Sequence, residues 1–364
     1  MISSHDSSGL QRVDWVLMLA LLPILAAGLV TIHSFGPEST LLYRQLLWVG
    51  VSFLGFFAAT LGSYQFLRRR GVAVFLFVGT IVALLLVAVA GSSSGGAQSW
   101  INLGGLSIQP SAPAKLILIA VLAKYFDRRH ALMHNFRHVL VSGVYTALIS
   151  GIVLLQPDFG SAMIIALIWF GMVIVAGIPF RHILSVLVIG ALSLGLLWMF
   201  IFTAEQKERI TTFVNPDTNI QQAGYNANQA MIAVGSGQIL GKGVGYGTQS
   251  RLEFLPEYET DFVLAAFSEE WGFVGVCLLL LLYGIVFWRI YRLARTGETS
   301  FERLFGAGVF VYLLSDLAIH TGVNTGLLPI TGTTMPFMSY GGSHLVTEFL
   351  ALGVLMGMQR LPNV

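Results

Sequence analysis

Cysteine and charge are the scarcest things in this 364-residue chain. Its one cysteine, Cys277, stands inside an apolar run, so an internal disulfide and a cysteine-based metal cluster are both excluded. Helix packing is the expected role of that thiol. Charged residues make up 10% of the sequence, too little to coat a water-soluble fold of this length. The 20 Lys and Arg nearly cancel the 18 Asp and Glu, so the net charge of +2 points to no acidic or basic partner. Where the charges sit carries the information instead. The sequence shows no low-complexity tail, no separate soluble domain and no strand pattern able to build a sheet. No repeat is clear enough to support an inverted-repeat transporter.

What abounds is apolar: 55% hydrophobic residues and a mean hydropathy of +0.77. These values predict an all-α polytopic membrane protein, a single integral membrane domain over residues 1–364. Ten stretches approach the ~20 residues that cross ~30 Å of hydrocarbon. They are 13–33, 43–62, 71–91, 111–127, 138–155, 160–178, 182–203, 262–289, 303–323 and 343–360. The first is too long for a signal-peptide core and is followed by further spans, so it reads as retained. Gln156-Pro157-Asp158-Phe159-Gly160 joins the fifth and sixth as a short hairpin. With ten spans, Arg12, Arg68–Arg70, Lys124, Arg128, Arg129, Arg137, Arg181, Arg289, Arg292, Arg295, Arg303 and Arg360 fall on one side. That side and both termini are therefore expected in the cytoplasm. The outer side carries 91–110, 324–342 and, between helices seven and eight, the largest loop, 204–261. A short interfacial helix is expected over Asn226–Val234.

Chemistry is expected in those outer loops, held by a rigid scaffold. Asp261 stands where the polar run Gly247–Thr260 meets the apolar run beginning at Phe262. A carboxylate there is either a cap for the eighth helix, a role Thr260 could take instead, or a working group. Glu253, Glu257 and Glu259 crowd the same loop. Neighbouring carboxylates raise one another's pKa or draw in a cation, as a general base or a metal site requires. Glu269 lies ~80° round the helix from Asp261, and Glu270 on the far side. At that depth both are expected to have structural partners. Ser111 fits the N-cap of the fourth helix and Pro113 its first turn. Lys115 is a cation opposed by the dipole of that helix; it reads either as snorkelling or as a ligand for an anion such as phosphate. The run Gly235–Gly247 has the glycines of a phosphate loop without the G-x-x-x-x-G-K-[ST] spacing, which leaves Lys242 a candidate phosphate contact. Asp316 with His320, and His344 with Glu348, are i,i+4 pairs that fit either a proton relay or helix packing.

Six stretches then carry a resemblance. They are Gly104–Ser111 (GGLSIQPS), Gln156–Gly160 (QPDFG), Met231–Gly237 (MIAVGSG), Gly247–Phe262, Glu269–Gly275 (EEWGFVG) and Pro336–Ser343 (PFMSYGGS). In this order, and across essentially all ten spans, they closely resemble the SEDS family (shape, elongation, division, sporulation), above all its rod-shape members. The resemblance implies an inverting peptidoglycan glycosyltransferase of the bacterial cytoplasmic membrane. Its substrate would be lipid II, a disaccharide-pentapeptide on undecaprenyl diphosphate, polymerised into β-1,4 glycan strands on the outer face during cell elongation. It implies that Asp261 is the base, or metal-assisted base, for the acceptor 4-hydroxyl. Lys115, Arg209 and a divalent cation, Mg or Mn, would offset the leaving diphosphate, with Asp261 and Glu257 as candidate metal ligands. Gln109, Ser111, Lys242 and Ser339 are the further substrate-binding candidates. A class B penicillin-binding protein, a transpeptidase of the elongation machinery, is the implied partner, with spans eight and nine its expected dock. After Gln109-Pro110-Ser111 the family pattern has Glu where this chain has Ala112, which should weaken a shared cation site. Restoring that acid, Ala112→Glu, is expected to raise activity. A flippase or transporter of the lipid-linked precursor is the alternative, with its important groups at mid-membrane. A pure scaffold, for which Asp261 is dispensable, is a third.

Overall fold

The structure is a computed structural model that describes residues 13–35, 40–62, 64–94, 97–103, 106–129, 135–215, 223–252 and 254–359. Arg12, Glu253 and Arg360 lie outside the described residues. Each of the ten apolar stretches falls on a helix. In chain order the helices are α1 (Trp15–Phe35), α2 (Thr40–Leu61), the single turn α3 (Gln65–Arg68), α4 (Arg70–Ala90), α5 (Ser111–Asp127), α6 (Phe136–Leu155) and α7 (Phe159–Val175). There follow α8 (Phe180–Phe200), α9 (Ala204–Val214), α10 (Ala223–Ser236), α11 (Thr248–Arg251), α12 (Val263–Thr296), α13 (Ser300–Asn324) and α14 (Gly342–Gly357). Among the described residues seven helices, α1, α2, α4, α6, α8, α12 and α13, are long and apolar enough to cross a membrane, while α7 and α14 are apolar but shorter. The outward faces stay apolar: in α8 only Val186 is buried. Such a surface suits hydrocarbon rather than water.

The buried residues form one hydrophobic cluster running from Val13 to Met358. Its centre is α13, which packs on α5, α7 and α12, while α14 lies along α2. Cys277 faces outward on α12 rather than packing between helices.

The all-α expectation needs one correction. Within 91–110 the strands β1 (Ser92–Ser94), β2 (Ala97–Leu103) and β3 (Leu106–Ile108) form a small antiparallel sheet in the order β1-β2-β3. Two of these strands have three residues, too few for an alternating pattern to show. The sheet matters because β3 leads straight into Gln109 and Pro110, at the start of α5.

The large loop is itself helical. α10 covers and exceeds the expected Asn226–Val234. α9 starts with a reciprocal cap, in which Thr203 Oγ1 accepts from Gln206 N and Gln206 Oε1 accepts from Thr203 N. The following run, Gly235–Gly247, lies against a break in α12. At Gly272 the backbone has φ 64°, outside the helical region. The amides of Lys242 and Gly243 donate to the carbonyls of Glu269 and Glu270 at 2.9 and 3.0 Å. Those of Phe273 and Val274 donate to Gln238 and Ile239 at 2.9 and 3.1 Å. A broken helix at membrane depth needs its freed backbone groups satisfied by protein, and this run satisfies them. A Cβ on Gly272 would overlap the amide of Gly241, so these two glycines permit the close backbone approach.

Candidate active site

Asp261 closes the large loop directly before α12. The N-cap residue of α12 is Phe262, and no side chain of its own caps the helix there, which corrects the cap reading for both Thr260 and Asp261. Thr260 Oγ1 turns instead to Glu257 Oε2 at 3.1 Å, and Asp261 N donates to Glu257 O at 3.0 Å. The Asp261 carboxylate faces the loop after α13, where a Cβ on Gly332 would stand 3.6 Å from its Oδ2. The residue is half-buried. Burial first, and the Glu257 charge second, push its pKa up to about 7, while the Arg209 guanidinium pulls the other way. Glu259 is raised as well, by burial and then by Glu257.

Two polar frames hold this corner. In the first, Asn324 Nδ2 donates to Asp261 O at 3.0 Å and to His320 O at 2.8 Å, and its Oδ1 accepts from Ala265 N at 2.9 Å. Ser339 Oγ donates to Thr260 O at 2.7 Å and accepts from Met335 N at 2.8 Å. In the second, Asp158 caps α7 by accepting from Ser161 N at 3.0 Å. Its other oxygen accepts from Gln109 Nε2 at 3.0 Å and Ser111 Oγ at 3.3 Å. Gln109 is completed by Ser343 Oγ on its amide nitrogen and by His344 Nε2 beside its Oε1, each at 2.9 Å.

These partners revise several expectations. Gln109, Ser111 and Ser339 are buried and bonded within the protein, so they shape the site rather than line it openly. Ser111 is not the N-cap of α5; Pro110 is. Lys115 neither snorkels nor faces an open anion site. It is buried, with Nζ 3.3 Å from Asp316 Oδ1 and 5.2 Å from the Tyr312 ring centre. Lys242 Nζ meets Glu269 Oε1 at 2.6 Å, and Thr248 and Gln249 also donate to that carboxylate. Glu270 accepts from Gly245 N at 2.6 Å. Glu269 and Glu270 thus have the structural partners expected of them. The i,i+4 residues turn to different partners: Asp316 to Lys115, His320 to Thr333 O, His344 to Gln109 and Glu348 to Phe337 N.

Arg209, on α9, remains the cation beside Asp261. It lines a cavity of about 70 Å³ together with Phe213, Met231, Leu328 and Ile330. Thr212 and Asn228 add polar groups to that wall beside the guanidinium. Ala112 is fully enclosed and supplies no acid. Among the described residues no group of three or more metal-ligating side chains exists. Mg²⁺, however, is usually held by one or two carboxylates plus substrate phosphates. Asp261 and the exposed Glu257, four residues apart, meet that minimum.

Asp158 and Asn324 carry no site signal in the sequence: Asp158 lies in a hairpin motif, and Asn324 has no telling spacing.

Long outward-apolar helices define a multi-pass membrane protein, with a half-buried acid and a neighbouring cation as its candidate site. The family of FtsW, RodA and SpoVE, described as "Cell cycle protein", matches residues 10–363. The chain belongs to this family, the SEDS family, and is a glycosyltransferase. A probable peptidoglycan glycosyltransferase FtsW of Thiomicrospira cyclica is 35% identical over 364 residues, covering 95% of this chain and 92% of that protein. A solved structure described as "Structural coordination of polymerization and crosslinking by a peptidoglycan synthase complex" matches with a TM-score of 0.80 and 32% identity, over 94% of this chain and 96% of that one. The crystal structure of the Thermus thermophilus rod shape determining protein RodA matches with a TM-score of 0.69 and 31% identity, over 94% and 95%.

Proposed function

We propose that this chain polymerises lipid II into β-1,4 glycan strands of peptidoglycan, on the outer face of the bacterial cytoplasmic membrane, during cell elongation. The observation that carries the reading is Asp261, a half-buried carboxylate at the loop–helix junction, uncommitted to capping and within the field of Arg209. A pKa near 7 suits a general base at working pH. The acceptor 4-hydroxyl gives its proton to Asp261 as its oxygen bonds to the anomeric carbon of the other sugar. The bond from that carbon to the diphosphate breaks, and the lipid diphosphate leaves with the electron pair. One displacement inverts the centre and needs no covalent sugar–enzyme intermediate.

The leaving group is anionic, so cations must face it. Lys115 and Lys242 are paired with Asp316 and Glu269, and Arg209 is the cation whose field reaches Asp261. A divalent cation, Mg²⁺ or Mn²⁺, held by Asp261 and Glu257, would supply further neutralisation of the diphosphate when bound. Gln109, Ser111 and Ser339 act through the frame around the base. The chain works as one integral membrane unit with ten spans and both termini inside; the concentration of Lys and Arg on one side supports this. A class B penicillin-binding protein is the partner, on the lipid-facing surface of α12 and α13. Likeness to a synthase complex that coordinates polymerization with crosslinking supports a partner of that kind, and likeness to a rod shape determining protein supports elongation.

The test is purified enzyme, with its partner, acting on lipid II in detergent. Asp261→Ala is expected to form no glycan strand while its helical circular dichroism is kept. Full polymerisation by that variant would sink the assignment. Polymer made where no membrane sidedness exists also rules against a mere flippase.

A further inference from the structure

We infer that Asn324 is the positioning residue for Asp261, capping α12 from another helix while it holds the Asp261 backbone. This deepens the proposed function and rests on it.

The first N–H groups of a helix have no partner within it, and a side chain at the N-cap position normally accepts from the third helical amide. In α12 the N-cap residue is Phe262, which has no acceptor to offer, and the third amide is that of Ala265. Asn324 Oδ1 takes that amide at 2.9 Å, from 59 residues away at the end of α13. Its Nδ2 spends one N–H on Asp261 O and the other on His320 O, so both amide protons are used. The side chain is fully buried.

The Asp261 backbone is tied to the rigid core helix α13 at the point where the loop becomes α12. Its carboxylate, one residue before the N-cap, takes no part in capping and faces the Gly332 side of the site. A base whose placement depends on one buried amide should lose turnover, rather than substrate affinity, when that amide is removed.

The experiment measures lipid II polymerisation, fitted for kcat and KM, on full-length enzyme with its partner, per folded molecule. Asn324→Ala removes all three hydrogen bonds, and Asn324→Gln displaces them by one methylene. Both are expected to lower kcat about tenfold to a hundredfold with KM for lipid II within about twofold. A kcat within about twofold of the parent for both variants, or a loss confined to KM, overturns the inference. Should Asn324→Ala not fold, Asn324→Gln decides alone by the same criterion. Asp261→Ala runs alongside. If it stays active, the proposed function fails. If it is dead while the Asn324 variants turn over normally, only the positioning role fails.

Discussion

Glu257→Gln offers a signed test of how the site tunes its base. Asp261 titrates near 7 because burial disfavours its charge and because the Glu257 carboxylate sits in the same turn. A base works deprotonated, so the rate of the parent chain should climb as pH rises through about 7 and then level off. Removing the neighbouring negative charge favours the ionised form, so the acid limb must move to lower pH. Burial is the larger cause and is untouched, so the limb stays well above the ordinary carboxylate range. Glu257 is exposed, and a water-screened pair at ~4 Å is worth about 1 kcal/mol, against about 1.4 kcal/mol per pKa unit. The expected displacement is therefore under about 0.7 of a unit. Initial polymerisation rates from roughly pH 5 to pH 9, with no added divalent cation, give the limb directly. Raising Mg²⁺ should push it down further if the cation sits on Asp261, since an opposite charge favours the carboxylate. An acid limb near 4 in the parent, or one that moves up in Glu257→Gln, would refute the reasoning.

Two further perturbations probe the charges that the fold has already paired. Lys115→Met leaves Asp316 buried without its cation and is expected to cost about 3–5 kcal/mol, read as a lower thermal midpoint in detergent. Lys115→Met combined with Asp316→Leu should recover most of that loss, and an equally unstable double variant would show that the pair does not act as a unit. Ala112→Glu places an acid one helical turn before Lys115, at a fully enclosed position. It is expected to raise the polymerisation rate at a cost of about 1–3 kcal/mol in stability for the added bulk, and an unchanged rate would remove position 112 from the mechanism.

The helices were legible because their signal is local. Runs of apolar residues near the span length mark them wherever they fall, and Gln156–Gly160 could only be a tight turn. The sheet at 92–108 escaped because two of its three strands are too short to show a period. The run Gly235–Gly247 looked like a loop beside a helix, yet its amides complete the break at Gly272. Nothing in its glycine spacing announces a backbone partner in α12, because glycine reports permitted approach and not what approaches.

The same division holds at the site. Composition and the order of apolar runs determined a helical membrane protein, the junction at Asp261 and the crowd of carboxylates around it. Which charges remain for chemistry was decided only in three dimensions. Lys115 finds Asp316 across 201 residues, Gln109 finds Asp158 across 49, and Asn324 caps α12 across 59. Hydrophobic periodicity acts between neighbours along the chain, whereas the pairing of buried polar groups depends on which helices pack together. Asp261 is therefore visible as a candidate base in the sequence, while the asparagine that ties its backbone to α13 is visible only in the fold.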